Sequence, residues 1–182
     1  MGKLAIRWFD VTLALGGIIV FSPILVVACI GSYFETGSPI LRQLRIGLSL
    51  RTFVIYKIRT LPLDTKWVAT HELGASVSPP GPICKFLRHW KIDELPQLFN
   101  VVQGSMSLVG PRPCLLSQSE LISARSEANV YSVPPGITGL PQIRGIDMSV
   151  PKELVRHEVE MIEGFSLLRY LLILILTVRA IG

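Results

Sequence analysis

The most prominent feature of the hydrophobic pattern is an uncharged stretch between Asp10 and Glu35. As an α-helix rising ~1.5 Å per residue, its 24 positions reach ~36 Å, enough to cross the ~30 Å hydrocarbon core of a bilayer. The stretch from Val11 to Phe34 therefore predicts a membrane anchor. No other segment of the sequence is both long enough and free enough of charge to cross a bilayer.

The middle of this stretch contains a helix-breaking pair, Ser22 and Pro23. Proline cannot donate to the carbonyl of Ile19 and its ring opens that turn, whereas the serine hydroxyl can satisfy part of the freed backbone. Both flanks are basic, with Lys3 and Arg7 before the stretch and Arg42, Arg45, Arg51, Lys57 and Arg59 after it. Since cytoplasmic flanks carry the excess of Lys and Arg, a re-entrant helix is favoured. A kinked spanning helix stays open as the alternative.

Shorter elements follow this stretch. Residues 36–60 predict strands or extended turns, with β-branched and aromatic residues from Thr52 to Thr60, and residues 61–82 predict a loop. Helical patterns occur at residues 83–88, 93–103, 115–129, 152–163 and 166–178. The last helix is strongly apolar but too short and too charged to span. It predicts an amphipathic helix in the membrane interface or, alternatively, a helix in the protein core.

Composition narrows the choice of partners. The 182 residues carry a net charge of +5, with a pI of about 9.4 and a mean hydropathy of +0.50. This balance suits an anionic lipid surface or a phosphate-bearing substrate. Nucleic acid is disfavoured because the basic residues lack an aromatic-interleaved stripe. The three cysteines show no CxxC or metal-ligand spacing, which predicts reduced thiols in a cytosolic environment.

Two adjacent carboxylates, Asp93 and Glu94, stand in the run KIDELPQL at a predicted helix start. An aspartate can act as a nucleophile toward phosphorus, and carboxylates hold Mg²⁺ together with substrate phosphates. The structural alternative makes Asp93 a helix N-cap, with Glu94 complementing the helix dipole and Pro96 in the first turn. Spacing alone favours the structural alternative.

Basic residues are the second group of candidates, because arginine forks match phosphate oxygens bidentately. The candidates are Lys57, Arg59, Lys85, Arg88, Arg112 and Arg144. Each of them, taken singly, is more simply explained as a solvated or lipid-facing charge. Arg112 differs because prolines on both sides fix its backbone, and it therefore predicts a rigid clamp for an oxyanion.

Four motifs together resemble one family, the bacterial sugar transferases. In chain order they are KIRT from Lys57, KIDELPQLFN from Lys91, GSMSLVGPRP from Gly104 and PPGITGLPQ from Pro134. The Ser22–Pro23 break stands where that family has its re-entrant membrane helix. The resemblance runs from about residue 3 to residue 178, and the DELPQL and SLVGPRP blocks are its most specific parts.

The resemblance implies a small monotopic polyprenyl-phosphate phosphoglycosyl transferase. Such an enzyme moves a phosphosugar from a nucleoside diphosphate sugar, usually a UDP-sugar, to undecaprenyl phosphate and releases UMP. By the family pattern, Asp93 is the nucleophile of a covalent phosphosugar intermediate and binds Mg²⁺, while Glu94 assists by metal positioning or proton handling. The phosphate-binding residues that the resemblance implies are Arg112, Arg88, Lys57 and Arg59.

The implied fold class is α/β and mostly helical. It is a monotopic membrane protein with one re-entrant helix over residues 1–35 and a small catalytic domain with amphipathic interfacial helices over residues 36–182. The implied location is the cytoplasmic face of the bacterial inner membrane, with membrane lipid as a partner and a homo-oligomer as an open option. A non-catalytic membrane-bound scaffold of a polysaccharide assembly machine is the alternative function.

The sequence departs from the family pattern at a few places outside the carboxylate pair. Glu158 and Met161 stand where the family usually has Asp and Tyr, and Tyr170 replaces a later Asp. The run SPPGP at residues 78–82 replaces an Asp-Pro-Arg run. These differences bear on which sugar is transferred, because the two carboxylates and the proline-flanked arginine are all present.

Overall fold

The computed structural model describes residues 2–65 and 81–180, and within them the chain is mostly helical with two small sheets. The helices are α1 Gly2–Thr36, α2 Pro82–His89, α3 Gln97–Gln103, α4 Ser119–Glu127, α5 Leu140–Ile143, α6 Pro151–Glu163 and α7 Leu167–Ala180. The strands are β1 Ile40–Ile46, β2 Thr52–Ile58, β3 Ser107–Val109 and β4 Gly136–Thr138. Most of the loop predicted at residues 61–82 lies outside the described residues.

The long helix α1 is the one helix in the described ranges that is long and apolar enough to cross a membrane, over Leu4–Thr36. Pro23 lies inside it, and the Ser22 hydroxyl donates to the carbonyl of Ile19 at 2.8 Å. That carbonyl is the acceptor that a proline four residues later leaves without a donor. The predicted compensation by Ser22 is therefore confirmed. Around the pair the side chains are exposed, Ile19 by 72%.

Both ends of α1 contact the rest of the protein. Near the first end, Arg7 donates to two backbone carbonyls at the end of α3, at 2.7 and 3.0 Å. Near the other end, the Ser32 hydroxyl donates to the carbonyl of Arg59 at 2.6 Å. The Glu35 carboxylate accepts from two backbone N–H groups in the first turn of α2, at 2.9 and 2.8 Å. The exposed middle of the helix is thus held from both sides of the proline.

The two sheets are small and differ in direction. β1 and β2 form an antiparallel hairpin, whereas β3 and β4 pair in parallel. A Cβ on Gly136 would lie only 2.0 Å from the backbone nitrogen of Gly110, so close backbone packing requires the glycines of the PPGITG and VGPRP motifs. The registers run from Ile40–Ile58 to Ile46–Thr52 in the hairpin, and through Ser107–Gly136 and Val109–Thr138 in the parallel pair.

The main core joins α1, α3, β3 and α7. Its buried members include Ala14, Val101 and Tyr170. Asp10 of α1 lies within it and accepts hydrogen bonds from the Tyr170 hydroxyl at 2.7 Å and from the Ser107 hydroxyl at 2.8 Å. A buried carboxylate needs such partners, and these bonds join α1 to β3 and α7. A second core lies between α4 and α6.

The apolar helix α7 is buried in the protein core along one face only. Tyr170 and Ile173 are buried in the main core. Leu171 and Leu174 pack against this core, whereas Leu168, Leu172, Ile175 and Val178 are exposed, Leu168 by 79%. The helix therefore contributes one face to the core and leaves another apolar face on the surface, which is consistent with a membrane-associated protein.

Two predicted helices differ from the structure. The helix predicted from Asp93 to Gln103 begins instead at Gln97, after a one-turn 3₁₀ helix Ile92–Glu94. The N–H groups of Leu95 and Leu98 bond to carbonyls three residues earlier, at 3.2 and 3.0 Å, so these turns are 3₁₀ rather than α-helical. The helix predicted over residues 115–129 covers only Ser119–Glu127, because the Gln118 side chain holds the N–H of Leu115 in a turn.

Candidate active site

One polar cleft is lined by all six residues that the sequence assigns to catalysis and phosphate binding. They are Asp93, Glu94, Arg112, Arg88, Lys57 and Arg59. They come from β2 and the residue after it, the last turn of α2, the 3₁₀ helix and the segment after β3. Residues as far apart in sequence as Lys57 and Arg112 thus meet in a cavity of about 230 Å³. The candidates Lys85 and Arg144 lie elsewhere; Arg144 is paired with Glu160 at the surface.

The 3₁₀ helix places the two carboxylates side by side at the cleft. Lys91, just before it, adopts a left-handed backbone with φ of 56°, which turns the chain out of α2. Asp93 makes no side-chain capping bond, and the residue at the N-cap of α3 is Pro96. The interpretation of Asp93 as an N-cap is therefore wrong. Its side chain is buried, with 8% of the residue exposed.

Glu94 is held by two cations. The Lys57 ammonium donates to its Oε1 at 2.9 Å, and the Arg112 guanidinium donates to both carboxylate oxygens. Burial alone would raise the pKa of Glu94, but Arg112 and Lys57 hold it well below its usual range. Glu94 is therefore ionised across the physiological pH range and fixes the positions of the two cations.

Asp93 differs from Glu94 both in its hydrogen bonding and in the direction of its pKa shift. Its Oδ1 is buried and has no hydrogen-bond partner among the described residues. Burial and the neighbouring Glu94 charge raise the pKa of Asp93, although Lys57, Arg88 and Lys91 partly offset this. A carboxylate that is buried, unpartnered and surrounded by cations in a cleft is a candidate nucleophile or metal ligand.

The cleft as a whole carries excess positive charge. Among its described lining residues, six side chains are cationic and two are anionic. The cations that the sequence did not assign to it are Arg45 and Lys91. Focused positive charge in a concave site favours an anionic ligand with several oxygens, such as a diphosphate. No group of three His, Cys, Asp or Glu side chains converges as a metal site in the part of the chain that the structure describes.

The family assignment follows from a comparison with known proteins. The sequence model for bacterial sugar transferases matches residues 1–182. The chain belongs to the bacterial sugar transferase family. The resemblance carried by its four motifs is thereby confirmed, and the cleft is the place where three of those motifs meet.

Named relatives support this assignment over nearly the whole chain. The UDP-glucose:undecaprenyl-phosphate glucose-1-phosphate transferase of Caulobacter vibrioides is 37% identical over 186 residues, covering 96% of this chain and 68% of that protein. The uncharacterized sugar transferase EpsL of Bacillus subtilis is 34% identical, with 96% and 86% covered. The UDP-N-acetylgalactosamine-undecaprenyl-phosphate N-acetylgalactosaminephosphotransferase of Aeromonas hydrophila is 31% identical, with 96% and 43% covered.

Arg45 is one of the two cleft cations of this sugar transferase that the sequence did not assign to the site, because it was counted only as a basic flank of the membrane helix. Its terminal nitrogens donate to Gln43 Oε1 at 2.6 Å and to the carbonyl of Pro113 at 3.2 Å, while its buried Nε has no partner among the described residues. Burial and the nearby Arg112 lower the pKa of Arg45 to about 10. A signal was present, because Gln43 and Arg45 alternate with the exposed Leu44, as expected of a strand whose inner face is polar.

The residues that depart from the family pattern have structural partners. Glu158 is fully buried and forms a two-point ion pair with Arg125. The Met161 sulfur accepts from the N–H of Leu140 at 3.3 Å. Tyr170 donates to Asp10, as described above. None of these side chains lines the described cleft, so the departures change the supporting framework rather than the carboxylate pair.

Proposed function

We propose that this protein transfers a sugar 1-phosphate from a UDP-sugar to undecaprenyl phosphate and releases UMP. The observation that carries the proposal is the unpartnered, buried Asp93 carboxylate beside cations that Glu94 holds in place. The relatives from Caulobacter vibrioides and Aeromonas hydrophila, which are named for such transfers, support it. Because those names contain two different sugars, the proposal covers the reaction class and not one sugar.

The first step uses Asp93 as the nucleophile. One oxygen of its carboxylate forms a bond to the sugar-bearing phosphorus of the donor, and the bond from that phosphorus to the bridging oxygen breaks. The electron pair leaves with that oxygen in UMP. Phosphoryl transfer depends mainly on positioning and on neutralising charge, which the cations of the cleft supply.

The second step regenerates the enzyme. A phosphate oxygen of undecaprenyl phosphate forms a bond to the same phosphorus, and the bond to Asp93 breaks. The aspartate is again a carboxylate, and the product is the polyprenyl diphosphate sugar. Neither step requires a proton from Glu94. Its lowered pKa and two cationic partners support a role in positioning Lys57 and Arg112 rather than in proton transfer.

Mg²⁺ is the cofactor that we propose for the cleft. Mg²⁺ is commonly bound by one or two carboxylates together with substrate phosphates. The free Oδ1 of Asp93 fits this requirement, whereas both oxygens of Glu94 are occupied by Lys57 and Arg112. Asp93 would therefore hold the ion. When bound, Mg²⁺ would neutralise negative charge on the diphosphate.

We also propose that α1 is re-entrant and that the cleft faces the cytoplasm at the inner membrane. Arg7 near one end and Glu35 near the other both bind the same folded body, while the side chains around Pro23 are exposed. A helix that spanned a bilayer would place these two ends on opposite sides. Basic flanks at both ends support the cytoplasmic side.

The reaction is tested by measuring UMP release in nanodiscs containing the protein, with a panel of UDP-sugars, undecaprenyl phosphate and Mg²⁺. We expect UMP with at least one donor, loss of UMP on addition of chelator, and a mass-spectrometric phosphosugar adduct on Asp93 when the acceptor is omitted. Absence of both UMP and adduct across the panel would overturn the proposal and favour the scaffold alternative. UMP without an adduct on Asp93 would instead move the nucleophile elsewhere.

The topology is tested with single cysteines introduced at Leu4 and at Ser38, in a variant whose three native cysteines are replaced by serine. A membrane-impermeant maleimide should label both positions in inside-out vesicles and neither in intact spheroplasts. Labelling of the two positions from opposite sides would show a spanning helix. Such a result would leave the reaction itself unaffected.

A further inference from the structure

A second cavity lies against the cleft and differs from it in character. Its volume is the same, about 230 Å³, and three side chains of the cleft also line it: Lys91, Glu94 and Arg112. Its remaining lining comes from Leu95, directly after the 3₁₀ helix, and from α3, β4, α5 and α7. The two cavities therefore share a charged wall and extend away from it into different parts of the fold.

Away from the shared wall, this apolar cavity offers little that would bind a sugar nucleotide. Its apolar lining consists of Leu95, Leu98, Ile137 and Ile143. The hydroxyls of Thr138 and Thr177 are bonded to each other at 2.7 Å, so they need no ligand. An apolar ligand can occupy such a surface without leaving these polar groups unpaired. Every formal charge on the cavity's described lining belongs to the three shared side chains.

The position of the apolar cavity gives it access to lipid. Thr177 belongs to α7, whose other face exposes Leu168, Leu172 and Val178. Leu98, which also lines the cavity, approaches α1, since a Cβ on Gly17 would lie 3.1 Å from its Cδ1. The cavity thus adjoins the charged cleft and also lies close to α1 and α7, two helices with exposed apolar side chains.

We propose that the apolar cavity binds the phosphate-proximal isoprene units of the polyprenyl acceptor, with the acceptor phosphate held by Arg112 and Lys91. This inference rests on the proposed function. Charge complementarity supports it, because an amphipathic molecule with one anionic end and one hydrocarbon end matches a cavity whose charged wall holds two cations and one carboxylate and whose other sides are apolar. Donor and acceptor phosphates would then reach the same wall from two cavities.

Gln142 adds a polar contact for the acceptor head. It lines the apolar cavity, and both atoms of its buried amide lack a hydrogen-bond partner among the described residues. An amide left unpaired in an apolar site is costly, so a ligand oxygen that accepts from its Nε2 would remove part of that cost. The ester or phosphate oxygen of a prenyl phosphate is such an acceptor.

The test fills the apolar cavity with Ile143→Trp and compares it with Ile175→Trp, the same change on the exposed face of α7. Two quantities are measured for each variant: the stoichiometric burst of UMP with donor alone, and KM for undecaprenyl phosphate. We expect Ile143→Trp to keep the burst within about twofold and to raise acceptor KM by at least about tenfold, the effect of losing roughly two buried methylene groups. Ile175→Trp should change neither.

An intact burst with unchanged acceptor KM in Ile143→Trp would overturn the inference and leave the proposed function standing. Absence of the burst in the wild-type protein would overturn the proposed function instead. If Ile143→Trp itself lost the burst, the inference is tested by photocrosslinking the wild-type protein with a prenyl phosphate that carries a diazirine in its first isoprene unit. Crosslinks to the apolar cavity support the inference, whereas crosslinks only elsewhere, or cavity labelling only by a phospholipid probe, overturn it.

Discussion

Buried charge occurs in two regions of this protein, and they are arranged differently. Between α4 and α6, Arg125 and Glu158 are 1% and 0% exposed and bind each other through two hydrogen bonds. In the cleft, Glu94 is shared by two cations, while Asp93 has an unpartnered oxygen and further cations surround it. The first region balances one charge against one, whereas the second retains an excess of positive charge.

This difference separates a structural ion pair from a functional one. A buried pair that is fully satisfied needs nothing else, and removing one partner leaves an uncompensated charge. A cleft with excess cations and a free carboxylate is electrostatically incomplete until an anionic ligand arrives, which is typical of catalytic sites. The comparison therefore predicts opposite consequences for neutralising an acid in the two regions.

The largest effect is expected for Asp93→Asn. Loss of the nucleophile should lower UMP turnover by at least about a thousandfold, while Glu153→Gln, the corresponding acid-to-amide change on the exposed face of α6, should leave it unaltered. Burial raises the pKa of Asp93, so the folded state favours its protonated form and the ionised form destabilises the fold at neutral pH. The variant should therefore melt at a higher temperature than the wild-type protein.

Turnover and thermal melting are measured together on the same preparations. Lost activity with an unchanged or raised melting temperature supports a nucleophilic Asp93 and excludes unfolding as the cause. Turnover that survives Asp93→Asn would contradict the assignment, whatever happened to the melting temperature.

The second-largest effect is expected for Glu158→Gln in the buried Arg125–Glu158 pair. It leaves the buried Arg125 guanidinium without its counter-charge, and we expect a loss of about 3–5 kcal/mol in the free energy of unfolding. The measurement is denaturant unfolding in detergent. The double variant Arg125→Met with Glu158→Leu should recover much of that loss, since two apolar side chains leave no unpaired charge.

Glu160→Gln, in the exposed pair with Arg144, is the control. If Glu158→Gln lost no more free energy of unfolding than Glu160→Gln, the buried pair would not have the structural role that we assign to it. The comparison is informative because both variants remove a carboxylate from an arginine partner on the same helix. They differ chiefly in burial, although Glu160 also contacts His157 at 3.1 Å.

Much of the cleft was accessible to sequence reasoning because its motifs are short and local. The carboxylate pair, the lysine near the end of β2, the arginine just after that strand and the proline-flanked arginine were all named, and all line one cavity. Pairing within the cavity was not accessible, because the contact of Lys57 with Glu94 joins residues 37 positions apart. The same limit applies to Asp10 and Tyr170, which meet across 160 positions.

Helix boundaries were less accessible than helix positions. The helices predicted at residues 83–88, 152–163 and 166–178 agree with α2, α6 and α7 to within about two residues. The turn that separates α2 from the 3₁₀ helix depends on a left-handed Lys91, a conformation that a lysine rarely adopts and that no local pattern indicates. That single residue turns the carboxylates toward the cleft.

A smaller effect is expected for Arg45→Gln. Arg45 has a free Nε and no carboxylate partner among the described residues, so a donor phosphate would be the acceptor that it lacks. Removing one charge-assisted hydrogen bond should raise KM for the donor by roughly ten- to a hundredfold. The matched control is Arg42→Gln, an exposed arginine on the same strand, which should leave donor KM unchanged. Equal effects of the two changes would make Arg45 a contributor to general surface charge only.

The smallest effect concerns the acid limb of the pH profile. The nucleophile must be ionised, so activity is lost as the pH falls through the pKa of Asp93, which burial and Glu94 raise above the usual aspartate range. Arg88 is one of the cations that lower that pKa. Arg88→Gln should therefore move the acid limb of donor kcat/KM to higher pH, beyond any change in its plateau.

Lys85→Gln, an exposed cation one turn earlier on α2, serves as the control and should leave the acid limb in place. Because the position of the limb and the height of the plateau are read separately, a loss of phosphate binding in Arg88→Gln does not obscure the shift. Glu94 cannot produce the same limb, since its cations hold its pKa well below the range in which activity is measured. A limb that stayed in place in Arg88→Gln would mean that a group other than Asp93 limits activity in acid. The cleft would then resemble the Arg125–Glu158 pair more than we infer.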